Sequence, residues 1–395
     1  MFNEQEKEAL GKLYTKSAEV IDSVTMKNGA ILASPPGRRY PYLYPRDSML
    51  ILRVLLECNK TKQVKKTLEF VLSLMGETGE WYQRYTKDGA SASYRPPQAD
   101  CNGLVLFMIK KYYDKTKDKT FLENHWSEVY LGARFLEEHY IKEEQLVFSM
   151  NSIHEWPPME AGFEIWANVC AYAGFTAARE IAEILNKKED LTHWSKIERE
   201  LGKGIMTQMV KNNHFIKLRN NTNIFDADIS EMGAYILGIL PANDKLIEKT
   251  AEFIEKNLYN KKLGGIQRHM EKYGKAGRNN GGYGPYSMYT GWMAQYYLDA
   301  GKQRKAKKYF DWFLKYNKNG LIPEHIATKK SFLEWQKEAK EIGRYYKSGR
   351  REEAEKVMRT KDFKEKNIAY WVLPLTWGHA EFMLAYLKLK DLGLV

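Results

Sequence analysis

Two kinds of helical segment alternate along this chain. In the first kind, apolar residues recur on a single stripe. Val64, Leu68, Val71, Leu72 and Met75 fall at i, i+4, i+7, i+8 and i+11; Ala306, Tyr309, Phe310, Phe313 and Leu314 repeat the pattern, as do Ile247, Ala251, Ile254 and Leu258. Such spacing puts one face against a core and leaves a Lys/Glu face in water. In the second kind, Cys101 to Ile109, Ile165 to Ala178, Met232 to Leu240 and Ser287 to Ala294 are apolar or small almost all round. Helices buried on both sides read this way, and their Gly and Ala permit close approach. The pattern predicts helices over approximately 3–25, 47–58, 61–75, 98–115, 118–139, 164–185, 190–211, 228–239, 244–258, 286–300, 303–316 and 375–391.

The connectors alternate as well. Asn59-Lys60, Thr116-Lys117, Asn186-Lys187, Pro241 to Asn243 and the turn at Gly301 are tight; 26–46, 77–97, 140–162, 212–227, 260–285 and 318–374 are long and rich in Trp, Tyr and Pro. If successive helices are antiparallel, every long connector lies on one face and feeds an inner helix. The expectation is an all-α fold, an (α/α)6 toroid or six-hairpin barrel, with a charged helical insertion at 331–366 over or beside the mouth. An up-down helical solenoid is the alternative, but it would not gather the aromatic residues into one set of loops.

With 395 residues the length prior is two or three domains, but 44% hydrophobic content is ample for a large core, and a single toroidal domain over 1–395 is expected. The net charge of +12 comes from lysines mixed with Glu on outer helix faces, as at Lys62 to Lys66 and Lys302 to Lys308, which points to solubility rather than nucleic-acid binding. No apolar run spans a membrane. The acidic, amphipathic start MFNEQEKEALGKLY lacks the layout of a signal peptide, so a cytoplasmic location is expected. Cys58, Cys101 and Cys170 read as free thiols, and His154, His269, His325 and His379 lack metal-ligand spacing; neither metal nor cofactor is expected. Self-association into a homo-oligomer is left open.

The long loops carry the unusual polar residues. Tyr40-Pro-Tyr-Leu-Tyr44-Pro-Arg46-Asp47, Tyr94-Arg-Pro-Pro-Gln98-Ala-Asp100 and Ser152-Ile-His154-Glu155-Trp156-Pro-Pro-Met-Glu160 are the first three groups. Asp226 with Asp228, Arg268-His269, Gly284-Pro-Tyr286 and Gly320-Leu-Ile-Pro-Glu324-His325 follow. Aromatic faces cover the CH surfaces of a sugar ring, while Asp, Arg and Gln match its hydroxyls. Two opposed carboxylates suffice for glycoside hydrolysis, one protonating the leaving oxygen and one activating water. Glu155 lies against Trp156, Pro157 and Pro158, and Glu324 follows Ile322 and Pro323 three loops away, across a six-fold ring. Asp47 could equally be a helix cap, and for Asp226, Asp228 and Ser230 capping is the favoured reading. Gly264-Gly265 and Gly281-Gly282 lack a preceding strand, which argues against a phosphate or dinucleotide loop.

These residues also resemble glycoside hydrolase family 15, the glucoamylases. Tyr42-Leu-Tyr44-Pro-Arg46-Asp47-Ser48 resembles its Arg-Asp motif, and Pro97-Gln98-Ala-Asp100 its Pro-Gln-x-Asp segment. Gly264-Gly265-Ile-Gln-Arg268 followed by Gly284-Pro285-Tyr286 is similar to Gly-Gly-x-x-Arg and Asn-Pro-Trp, and Gly320 to His325 to the general-base motif. Pro374-Leu-Thr-Trp377-Gly-His-Ala380 matches the last inner helix, and the order holds from about residue 40 to 385. The resemblance implies exo-acting, inverting release of glucose from α-glucosides or small oligosaccharides. It makes Glu155 the acid and Glu324 the base. Arg46, Asp47 and Arg268 would hold the terminal sugar, with Tyr44, Tyr94, Gln98, Asp100, Trp156, Glu160, Tyr286, His325 and Trp377 as further substrate contacts.

The chain departs from the family pattern where Trp156 replaces a Glu, His154 a Trp and His325 a Gln; extra residues before Gly162 make Glu160 a rival acid. The resemblance implies a catalytic domain over 1–395 without the N-terminal β-sandwich common in prokaryotic members. Trehalose and α-1,6-glucans are alternative substrates. A phosphorylase and a non-catalytic sugar-binding toroid are the readings outside hydrolysis.

Overall fold

The structure, a computed structural model, describes residues 1–150, 153, 161–220, 227–270 and 280–395. The outer helices are α1 (Glu4–Ser23), α3 (Thr61–Leu72), α5 (Lys119–Asn124) with α6 (Trp126–Glu138), α8 (Lys188–Gln208), α10 (Lys245–Leu258) and α12 (Gln303–Tyr316). The inner ones are α2 (Pro45–Glu57), α4 (Ala99–Thr116), α7 (Ile165–Ile184), α9 (Gly233–Ile236), α11 (Ser287–Asp299) and α16 (Thr376–Asp391). Inner neighbours α2, α4 and α7 pack in sequence, α11 packs on α16, and α16 returns to α2. Tyr235 of α9 meets Tyr296 of α11 at 5.5 Å, which joins the two halves into the (α/α)6 toroid.

Close approach requires small residues. At the α4–α7 crossing, a Cβ on Gly103 would stand 2.1 Å from the Cys170 carbonyl oxygen, and one on Gly174 would stand 2.8 Å from the Gly103 Cα. Indoles fill the axis: Trp166 stacks on Trp292 at 5.5 Å, and Trp292 meets Trp377 edge-on at 5.9 Å.

The long loops share one face and are laced together. Leu43 bridges Tyr85, Phe163 pairs with Arg219, Asp228 bridges His269, and Tyr286 pairs with His325. The Thr376 N–H donates to the Ala33 carbonyl at 2.9 Å, which ties the start of α16 back to the first loop.

Three features differ from the helical pattern. The helix expected over 118–139 is cut at His125 (φ −115°), and α5 has its own N-cap, Asp118. The one expected over 228–239 is a 3-10 turn (Ile229–Met232) plus the short α9, because Gly238 takes φ +71° and Pro241 follows. A four-stranded antiparallel sheet also lies on the loop face: β1 (Ile266–Gln267), β2 (Pro285–Tyr286), β3 (His325–Thr328) and β4 (Ile368–Trp371), in the order β4-β3-β2-β1. They are too short to show a period of two in the sequence.

The insertion forms α13 (Lys329–Glu341), α14 (Arg350–Arg359) and α15 (Lys361–Glu365). It docks on the first loop: Arg38 pairs with Glu353 at 2.7 Å, Arg39 donates to the Ser348 carbonyl at 2.6 Å, and Lys356 donates to that of Gly37. Among the described residues, no helix is long and apolar enough to cross a membrane.

Replacing Gly103 by Leu would drive a side chain into the α7 backbone. The expected loss is about 1–3 kcal/mol or more, read as a lower urea midpoint.

Candidate active site

The N-termini of α2, α11 and α16 open on one cavity of about 110 Å³. Its lining includes Tyr44, Arg46 and Asp47 from the first loop and α2, Tyr94 from the second loop, and Arg268, Tyr286, Glu324 and Trp377. Ile153, two residues before Glu155, lines it too, and its carbonyl accepts a hydrogen bond from Arg268. His154, Glu155, Trp156, Glu160 and Asp226 lie outside the described residues, as does the separation between Glu155 and Glu324.

Pro45 opens α2, so its first turn begins with a residue that needs no N–H partner. That sets Arg46 and Asp47 at the cavity floor. Tyr44 occupies the cap position and makes no side-chain cap, and Asp47 sits in the first turn. Arg46 is 4% exposed. Its Nε donates to Asp100 Oδ2 at 2.5 Å and Nη2 to Gln98 Oε1 at 2.6 Å, while Trp166 Nε1 donates to the same Asp100 oxygen at 2.8 Å. Gln98 and Asp100 are fully buried behind the wall, so they hold Arg46 instead of lining the cavity as expected of substrate contacts.

Glu324 is fixed through its backbone. Its N–H donates to the carbonyls of Trp371 (3.1 Å) and Val372 (3.0 Å), and its own carbonyl accepts from Ser287 N at the start of α11 (2.9 Å). The side chain is partly open to the cavity, but Oε2 is buried without a hydrogen-bond partner. Burial pushes the carboxyl up to about 7, against the opposing pull of Arg39 and Arg268 and a hydrogen bond from Tyr40. Asp47 adds a smaller upward push.

His325 is buried behind this layer and does not line the cavity. Burial pulls its imidazole down to about 3, so it stays neutral, stacked 4.5 Å from Tyr286. It therefore braces the Tyr286 ring from behind. Trp377 lines the cavity and anchors Nε1 on Glu381 at 2.8 Å. Asp228 caps the 3-10 turn by accepting from Ser230 N, and it pairs with buried Lys217 at 3.1 Å. His379 is likewise structural, bridging Ser17 Oγ (2.8 Å) and Ile322 N (3.0 Å).

Sequence reasoning missed a group of cations. Arg39, Arg84, Arg95, Arg344 and Arg350 all line the cavity, the last two from the insertion. Tyr40 lines it as well, inside the first motif but not singled out. The available signal was the placement of arginine, not lysine, in aromatic loops: Arg38-Arg39-Tyr40, Tyr94-Arg95-Pro96 and Arg344-Tyr345-Tyr346.

Truncating Asp100 to Ala would remove the buried carboxylate that Arg46 and Trp166 share. The expected cost is about 3–5 kcal/mol of stability, seen as a lower denaturant midpoint, whereas Gln98→Ala should cost less.

The chain matches the model of "Glycosyl hydrolases family 15" over residues 13–385. It is 26% identical over 342 residues to an uncharacterized glycosyl hydrolase of Methanocaldococcus jannaschii, covering 80% of this chain and 52% of that one. It is 21% identical over 348 residues to Trehalase 1 of Sulfolobus acidocaldarius, covering 81% and 57%. The chain thus spans about half the length of the curated relatives it matches. Among solved structures, one described as "Glycosidase Wild Type" superposes with a TM-score of 0.75 at 16% identity over 100% of both chains. A bacterial glucoamylase complexed with acarbose gives 0.69 at 16% identity, over 95% of this chain and 55% of that one. At such identities the likeness speaks to the toroid alone, but the family match extends over nearly the whole sequence: the chain belongs to glycosyl hydrolases family 15.

Proposed function

We propose that this chain hydrolyses an α-glucoside from its non-reducing end with inversion, using Glu324 as general base and Glu155 as general acid. The observation that carries the reading is Glu324. It stands on the cavity floor with a carboxyl poised near neutrality, beside two arginines and an aspartate that can grip sugar hydroxyls. That Ile153, two residues before Glu155 in the chain, lines the same cavity supports the pairing. In the reaction the bond from the anomeric carbon to the leaving oxygen breaks, its electron pair going to that oxygen, which takes the acid's proton. Water attacks the opposite face and yields a proton to Glu324. Arg39 and Tyr40 favour the ionised form that accepts it.

The enclosed volume is small beside the roughly 300–1,000 Å³ of drug-sized pockets, which supports a short substrate over a polymer. Trehalose is the second reading, supported by relatives named Trehalase 1 and Trehalase 2 in Sulfolobus acidocaldarius. Glucose release from maltose, isomaltose, kojibiose and trehalose distinguishes the linkages. NMR of fresh product reads the anomer, and retention would refute the mechanism.

Glu324→Gln should lower kcat by about 10²–10⁴-fold. The same variant should be more stable than the parent above pH 7. The folded-state pKa near 7 exceeds the ordinary 4.5, so the folded protein binds the extra proton between those values and loses that advantage as pH rises. The gain, about 1–3 kcal/mol, should vanish below pH 4.5, as followed by thermal melts across pH.

Because the base works ionised, kcat/KM should climb as pH rises through about 7. Tyr40→Phe removes a hydrogen bond that lowers the carboxyl's pKa, so this acidic limb should move to higher pH. An unshifted limb would separate Tyr40 from the base.

A further inference from the structure

A cavity built only to hold neutral hydroxyls has no need of a crowd of cations. Among the described residues, Asp47 and Glu324 are the only carboxylates lining it. At the floor, Arg46 is tied off by Asp100. Toward the rim, where Tyr94 is 57% exposed, stand Arg84 and Arg95 from the second loop and Arg344 and Arg350 from the insertion, with Arg39 of the first loop near enough to act on both Arg350 and Glu324.

Arg39, Arg84, Arg95 and Arg350 form no ion pair within 4 Å of a carboxylate among the described residues, although Arg39 acts on Glu324 at longer range; the hydrogen-bond partners of Arg39, Arg84 and Arg350 are neutral. Arg39 donates to the Ser348 carbonyl, Arg84 to the Ala92 carbonyl (2.9 Å) and the Tyr44 hydroxyl (3.3 Å), and Arg350 to Asn280 Oδ1 (2.7 Å) and the Lys347 carbonyl (3.0 Å). The Nε atoms of Arg39 and Arg95 are buried with no hydrogen-bond partner. Carboxylates are within reach of this segment, since Arg38 takes Glu353. The cations also feel one another. Burial, then Arg39 and Arg344, brings Arg350 down to about 10, although it is only 6% exposed; burial and Arg95 pull Arg344 down. Side chains that served only as braces would gain by being neutral or paired.

We propose that this rim is a phosphate-binding subsite, so that the substrate is a glucoside whose leaving sugar carries a phosphate monoester. The inference rests on the hydrolytic reading above and names its substrate class. The phosphate ester stays intact; only the glycosidic bond is cut. A phosphoryl group at neutral pH brings nearly two negative charges and three acceptor oxygens, which suits several guanidinium forks, whereas a uronate brings one charge and two oxygens.

The test compares glucose release from maltose and trehalose with release from their 6-phosphates that carry the phosphate on the leaving sugar, using the full chain, Arg95→Gln and Arg350→Gln. Calorimetry measures the binding of glucose, glucose 6-phosphate and glucuronate alongside. The phosphorylated substrates should be preferred by roughly 10- to 100-fold in kcat/KM, and salt should erode the preference. Arg95 is the safer variant because its side chain is only half-buried, and the preference should collapse there whether or not Arg350→Gln folds. Hydrolysis of neutral sugars without any preference would overturn the subsite and leave the hydrolytic reading standing. If nothing is hydrolysed, that reading falls. Tighter binding of glucose 6-phosphate than of glucose would then still support the subsite, and equal binding would remove it. Glucuronate binding as tightly as glucose 6-phosphate would overturn the phosphate assignment, as would inorganic phosphate driving release of a sugar 1-phosphate.

Discussion

Arg46 carries a full charge at the bottom of a toroid of helices, nearly sealed from water, and the floor of the cavity depends on how that charge is met. Asp100 and Gln98 at the start of α4 accept from it, and Trp166 at the start of α7 donates to the same carboxylate. One ion pair thus couples the N-termini of three inner helices. Its worth as net stability is small beside the cost of breaking it, because a buried charge would lose a counter-charge. What the pair contributes is position: the guanidinium can face the cavity only where the carboxylate behind it stands.

The opposite wall uses backbone hydrogen bonds for the same purpose. Glu324 lies at the junction of β3 with the residues after β4 and the first turn of α11, so its carboxylate is set by three segments distant in sequence. His325 then supports Tyr286 from behind as a neutral stacked ring. The insertion closes the arrangement by adding Arg344 and Arg350 to the lining, held against the first loop by the Arg38–Glu353 pair.

The helical toroid was legible because its two signals are local and repeated. Stripes such as Ile247, Ala251, Ile254 and Leu258, all buried in α10, mark an outer helix, and all-round apolar segments such as α7 mark an inner one. The breaks at His125 and Gly238 were not legible, since one turn of altered backbone scarcely changes an apolar period. Nor was the small sheet: Pro285–Tyr286 is two residues long, and its pairing with Ile266 and His325 is a tertiary event.

For the site, residue types and their motifs were enough to gather Tyr44, Arg46, Asp47, Arg268, Tyr286, Glu324 and Trp377 on one cavity, because each sits at or near the entrance to an inner helix and the toroid sends those entrances to one mouth. Depth was not written there. Whether a polar residue touches the cavity or stands behind it depends on a displacement of a few ångströms between packed helices, which separates Arg46 from Asp100 and Tyr286 from His325. The arginine rim was hidden for a related reason: Arg39, Arg95 and Arg350 are far apart along the chain, and only the folding of the insertion onto the first loop makes their charges act together. Periodicity determined the ring; packing decided which side chains face its centre.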